Sequence, residues 1–162
     1  MPGLVTKGSQ MHQVIHVSVG IAALCATVCA YGALGEKYTS VTTDQVKLKA
    51  TLASTARASY TDHVMTQDSG LIVHEYAGSD TTVFAVAWQG PVMPNLEQLL
   101  GTYFSNFVAA RQSQSSPVGG VSQFHSQQTD LVIHSSGRLG AFSGIIYVPS
   151  LVPSGVNAEA LQ

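Results

Sequence analysis

The sequence predicts an α+β domain: antiparallel sheet carrying one principal packed helix, with elements in the order αβββ-αβββ. Three observations predict it. Short apolar or alternating segments recur between clusters of Gly, Pro, Asp and Ser, as strands do. One of them, residues 82–89, is apolar on both faces, with Phe84, Val86 and Trp88 on one and Val83, Ala85 and Ala87 on the other, which marks a central strand covered on each side. Residues 96–111 then repeat Leu96, Leu99, Leu100, Tyr103, Phe107 and Ala110 at helical spacing.

The amino-terminal 33 residues stand apart from this domain. Residues 17–33 carry no charge and follow a weakly basic leader containing Lys7, the pattern of a secretory signal peptide. Val28 and Ala30 satisfy the small-residue positions before a cut, so cleavage is expected near residues 30–33, leaving a single domain over 34–162. At 17 residues the run is short of the ~20 needed to span a bilayer, and Gly, Ser, Thr and Cys dilute it. The expected location is periplasmic or secreted, with membrane contact only through the transient signal segment. Cys25 and Cys29 both lie in that segment, so the mature chain has no thiol to serve as disulfide partner, nucleophile or metal ligand.

Within the domain, Thr42, Thr43 and Asp44 offer capping chemistry ahead of a helix over 45–53, where Leu48 and Leu52 share a face; a strand reading of the same stretch keeps Val46, Leu48 and Ala50 alternating against lysines. Strands follow over 60–66 and 71–77, joined by the compact connection Gln67-Asp68-Ser69-Gly70, and then over 82–89. The small face of that last strand suits a close-packed helix. Asn95 and Gln98 read as a capping box opening the principal helix, and Gly101 within it reads as a close backbone approach to the sheet. After a polar loop ending in Pro117-Val118-Gly119-Gly120, strands are expected over 121–126, 129–135 and 141–148, the last two turning around Ser136-Gly137-Arg138. Residues 157–162 add a helical turn.

Composition narrows the function classes. Only 10% of the residues are charged, and the mature domain carries six basic against nine acidic side chains, with no basic stripe for nucleic acid or lipid. His74-Glu75 opens like a zinc-protease motif, but Gly78 stands where its second histidine belongs. In Gly140-Ala141-Phe142-Ser143-Gly144 the serine lies one position late for a nucleophile elbow. Four histidines remain in the mature chain: His63, His74, His125 and His134. A symmetric first hairpin puts His63 opposite His74, close enough for two imidazoles to share a metal. Glu75 points to the other face from His74 and supplies no third ligand there, so neither a metal site nor a cofactor is expected. Tyr76, Trp88 and Tyr103 could edge a groove, although aromatics at such spacing usually fill a core.

Val83-Phe84-Ala85-Val86-Ala87-Trp88-Gln89-Gly90-Pro91, Leu99-Leu100-Gly101-Thr102-Tyr103-Phe104, Ala141-Phe142-Ser143-Gly144 and Val152-Pro153-Ser154-Gly155-Val156, in this order, resemble an exported proteobacterial family, domain of unknown function 2844. The resemblance runs from about Leu34 to the carboxyl terminus and includes Glu75-Tyr76 and Asp130-Leu131-Val132. It implies export and a single domain, and it supplies no catalytic residues. His74 stands where the family is expected to carry Arg, a departure that weakens a His63–His74 metal site.

Two functions from different classes follow. The first is a non-enzymatic exported module that binds an envelope component or exported protein, with contacts through the sheet or the stiff turn after the central strand, at Trp88, Gln89, Gly90 and Pro91. The alternative is a small periplasmic hydrolase or metal-dependent enzyme using His63 or His74 with Asp62.

Overall fold

A computed structural model describes Gly3, residues 33–113 and residues 122–161. The uncharged run read as an export signal lies outside the described residues, apart from Ala33. The domain is one seven-stranded antiparallel sheet in the order β1-β2-β3-β4-β7-β6-β5, with helices on one face and the carboxyl-terminal segment on part of the other. In chain order the elements are α1 (Thr39–Leu48), β1 (Thr51–Ala56), β2 (Tyr60–Thr66), β3 (Ile72–Gly78), β4 (Val83–Gly90), α2 (Leu96–Leu100), α3 (Phe104–Gln112), β5 (Ser122–Gln127), β6 (Val132–Arg138) and β7 (Ala141–Tyr147).

The α+β class and the helix-on-sheet packing stand, and β4 is central, between β3 and β7. Several local readings change. The first helix begins earlier and ends at Leu48, because Lys49 turns left-handed (φ 52°) and its N–H closes onto the carbonyls of Gln45 and Val46. The residues freed beyond it form β1, an additional strand along β2. The principal helix is not continuous: Gly101 adopts φ 50°, ψ −119°, and a single 3-10 turn separates α2 from α3. Gly101 is therefore a break that lets the two segments follow the twisted sheet, a conformation that glycine adopts most readily. Asn95 caps α2 as expected, its side chain accepting from the Gln98 N–H, but the Gln98 amide donates to Asp44 Oδ1 at 3.0 Å instead of completing the capping box.

Alternation along the strands sorts side chains onto two faces. The helical face holds the larger core, in which Val41, Leu99 and Leu100 pack on Met65, Val73, Val86, Trp88, Ile133 and Ile146. The second face holds Tyr76, Phe84, Ala85, Ala87, Val132, Ile145 and Tyr147 beneath Ala158 and Leu161 of the carboxyl-terminal segment. The register shift at Tyr76/Ala77 puts Phe84 with the alanines and Val83 with Val86 and Trp88. So the small face of β4 packs against the carboxyl terminus, and the helices take the face with the tryptophan. The Trp88 ring lies over Gly144, its partner on β7, where any Cβ would overlap the indole and sit 2.8 Å from the His134 carbonyl oxygen.

The first hairpin differs by one residue from a symmetric closure. Gly70 is left-handed (φ 84°) and the Gln67 N–H donates to the Leu71 carbonyl at 2.9 Å, so Thr66 pairs with Ile72 rather than Leu71. A one-residue step moves every cross-strand pairing. His63 consequently faces Glu75, and His74 faces Val64. The His63–His74 pair does not form.

Candidate functional site

Among the described residues, the carboxyl-terminal segment leaves one end of the second face uncovered. There Gln89 of β4, Ser143 of β7, Ser136 of β6 and Gln123 of β5 stand directly opposite one another across four strands. Ser136 and Ser143 exchange a hydroxyl hydrogen bond of 3.1 Å, while Gln89 and Gln123 are exposed. This uncharged polar row floors a cavity of about 650 Å³ walled by the β6–β7 turn, with Arg138 the charged side chain among its lining residues. The volume falls within the range of ligand sites. Apolar side chains stand at the same end: Leu139, at the tip of that turn, is 98% exposed, and Val92 and Met93, in the turn after β4, are each 44% exposed.

Of the turn residues singled out from sequence, Gln89 lies in the row, Gly90 borders the cavity and Pro91 is exposed. Trp88 points the other way, 2% exposed within the helical core, and acts there by fixing β4 against β7. Gly90 permits close approach of the first hairpin, since a Cβ at this position would sit 2.7 Å from Leu71 Cα. Tyr76 is core and Tyr103 packs at its margin.

One strand row inward, His74 and Asp62 meet. Asp62 Oδ1 lies 2.9 Å from His74 Nδ1, the two being diagonal neighbours on the second face, and the imidazole stacks on Tyr76. An acid on Nδ1 orients the ring and fixes its tautomer, leaving Nε2 for other chemistry. The hollow that His74 lines with Gln89 and Ser143 measures only about 50 Å³, too small for a substrate. Burial pushes the Tyr76 phenol well above its ordinary range, with the Asp62 charge adding to the effect, so it stays neutral.

The other sequence-named histidine belongs to a separate cluster under α1. His63 Nδ1 is 2.8 Å from Ser54 Oγ on β1, and Tyr38 packs over the ring at 5.2 Å. Burial lowers the His63 pKa, partly opposed by the Asp62 charge. Its cross-strand partner Glu75 is fully buried, and neither carboxylate oxygen is within hydrogen-bond geometry of another described group. Burial, followed by the neighbouring Asp44 charge, raises Glu75 well above the ordinary carboxyl range. Burial also raises Asp44, against the Gln98 amide and the Lys47 charge. Both shifts favour the protonated carboxyl over the ionised one. Neither carboxyl lines the cavity, and Asp44 ties α1 to α2 through the Gln98 amide.

A family profile described as a protein of unknown function, domain of unknown function 2844, matches residues 30–161. The chain belongs to this family. No curated protein and no solved structure matches it. In this member of domain of unknown function 2844, the described residues contain no group of three or more His, Cys, Asp or Glu side chains placed to hold a metal, and no helix among them is long and apolar enough to cross a membrane. Sequence reasoning missed the Ser136–Ser143 rung. The signal was Leu139-Gly140: with Gly140 left-handed (φ 80°), these two residues close the hairpin between Arg138 and Ala141, and counting outward pairs Ser136 with Ser143.

Proposed function

We propose that this chain is an exported, non-enzymatic module that binds an envelope component or exported protein at the open end of its sheet. The observation that carries this reading is the in-register row Gln89–Ser143–Ser136–Gln123 in its cavity of about 650 Å³. Amide and hydroxyl side chains offer donors and acceptors without charge, and the lining contains no histidine or carboxylate to act as a general base. Leu139, 98% exposed at the tip of the β6–β7 turn that walls the cavity, adds apolar surface beside it. Export is supported by the uncharged run 17–33. Cleavage after Ala30 keeps Ala33 in the chain, and Ala33 is a fully buried member of the helical core.

A second reading, a small hydrolase, rests on the Asp62–His74 contact of 2.9 Å. The two separate in one experiment. Ser143→Trp fills the cavity from its floor, and the mature domain carrying it, immobilised and exposed to a native envelope extract, should lose the component that the wild type retains. His74→Ala should retain it. Turnover of ester or amide substrates by the wild type, abolished in His74→Ala, would contradict the binding reading and establish the hydrolase.

A further inference from the structure

We propose that His125 and His134 form a bidentate site for a borderline divalent metal ion, holding Cu(II) most tightly. The two residues are direct cross-strand partners, one on β5 and one on β6, and their ring centroids are 4.1 Å apart at an interplanar angle of 68°. Opposed Cβ atoms in an antiparallel pair lie ~5 Å apart, a spacing from which two imidazoles can reach one ion. His134 Nε2 is buried and has no hydrogen-bond partner among the described residues, so a ring nitrogen stands unsatisfied beside a second imidazole. Such an atom costs free energy until a donor or a Lewis acid meets it. His125 is exposed, so an ion can reach the pair from solvent.

Imidazole nitrogen suits Cu(II), Ni(II) and Zn(II), and the order of affinities for a given nitrogen set peaks at Cu(II). Two ligands do not close a coordination sphere. Gln123, Ser136 and Ser143 line the small hollow of about 200 Å³ that the histidines share, and they are weak donors for such an ion. The remaining positions fall to water or to a donor brought by a bound partner, so the ion exchanges readily and the fold does not depend on it. This hollow shares Gln123, Ser136 and Ser143 with the polar row, but the proposed ligands are the two histidines, which the binding-face reading does not use, so its failure leaves that reading untouched.

The test is titration of the full chain with Cu(II) alone, followed by calorimetry and by paramagnetic broadening of amide and imidazole NMR signals. The chain also carries His12 and His16, so the comparison is differential. Wild type should bind one more Cu(II) than His125→Ala or His134→Ala, with affinity at this site reduced at least roughly tenfold in each, and His74→Ala should match wild type. Broadening in the wild type should centre on β5 and β6. Because His125 is exposed on an edge strand, His125→Ala gives the readout even where His134→Ala weakens the fold. Equal stoichiometry and affinity in wild type and His125→Ala, or broadening that spares β5 and β6, would overturn the proposal.

Discussion

Leu100→Ala is expected to cost about 2–5 kcal/mol of folding stability, the range for truncating a well-packed core leucine. Leu100 closes α2, is 0% exposed, and sits in the core formed by Trp88, Val86, Ile133 and Ile146. The chain cannot easily refill the space, because Gly101 immediately after it fixes the break between α2 and α3 and the sheet beneath is locked by seven-strand pairing. Urea unfolding of wild type and variant measures the loss. A change below about 0.5 kcal/mol, the ordinary surface range, would show that α2 does not dock on this face.

Glu75→Gln is expected to flatten the pH dependence of stability and to stabilise the protein above neutral pH. Glu75 ionises in the unfolded chain near its ordinary value of 4.5, whereas in the fold burial and the Asp44 charge raise its pKa well above that. Between the two values the native state holds a proton that the unfolded state has released. Stability is therefore full below the ordinary carboxyl range and falls as pH rises through the native pKa. Asp44 is raised in the same direction, and Lys47 and the Gln98 amide, which face it, moderate the effect. Glutamine keeps the shape, removes one titrating proton, and can donate to Asp44. Chemical denaturation at intervals between about pH 5 and pH 9 should show wild type losing stability toward the alkaline end relative to the variant. Parallel curves would mean that burial does not raise the Glu75 pKa in the fold.

Periodicity made most of the strands and the central place of β4 legible, whereas strand order and register were not. The apolar alternation of 82–89 identified β4 as central because both of its faces are buried, a property carried by side chains alone. Pairing depends instead on turn geometry. Counting from a symmetric Gln67–Gly70 loop set His63 against His74, and the left-handed Gly70 shifted the pairing by one, giving His63–Glu75. The same counting from the Gln128–Leu131 connection yields His125 opposite His134, the pair that does meet. β1 was hidden because Thr51–Ala56 is exposed or half-buried throughout and carries little hydrophobic pattern, and its first residues were read into the helix over 45–53. The break at Gly101 was hidden for the opposite reason: the apolar stripe continues through it, and only its backbone angles separate α2 from α3. The polar row was illegible as a unit, since Gln89, Gln123, Ser136 and Ser143 come from four strands and none belongs to a sequence motif.

The central claim is that the open end of the second face, and not the helical face, makes the contact. Site-specific photo-crosslinking in the native host tests it most directly, with the crosslinking side chain placed singly at Gln89 and Gln123 on the open face and at Glu97 and Thr102 on the helical side, all four being exposed positions. Discrete adducts of one mass from both Gln89 and Gln123, with none from Glu97 and Thr102, are the predicted result. Adducts confined to Glu97 and Thr102 would contradict it and move the binding surface to the helices.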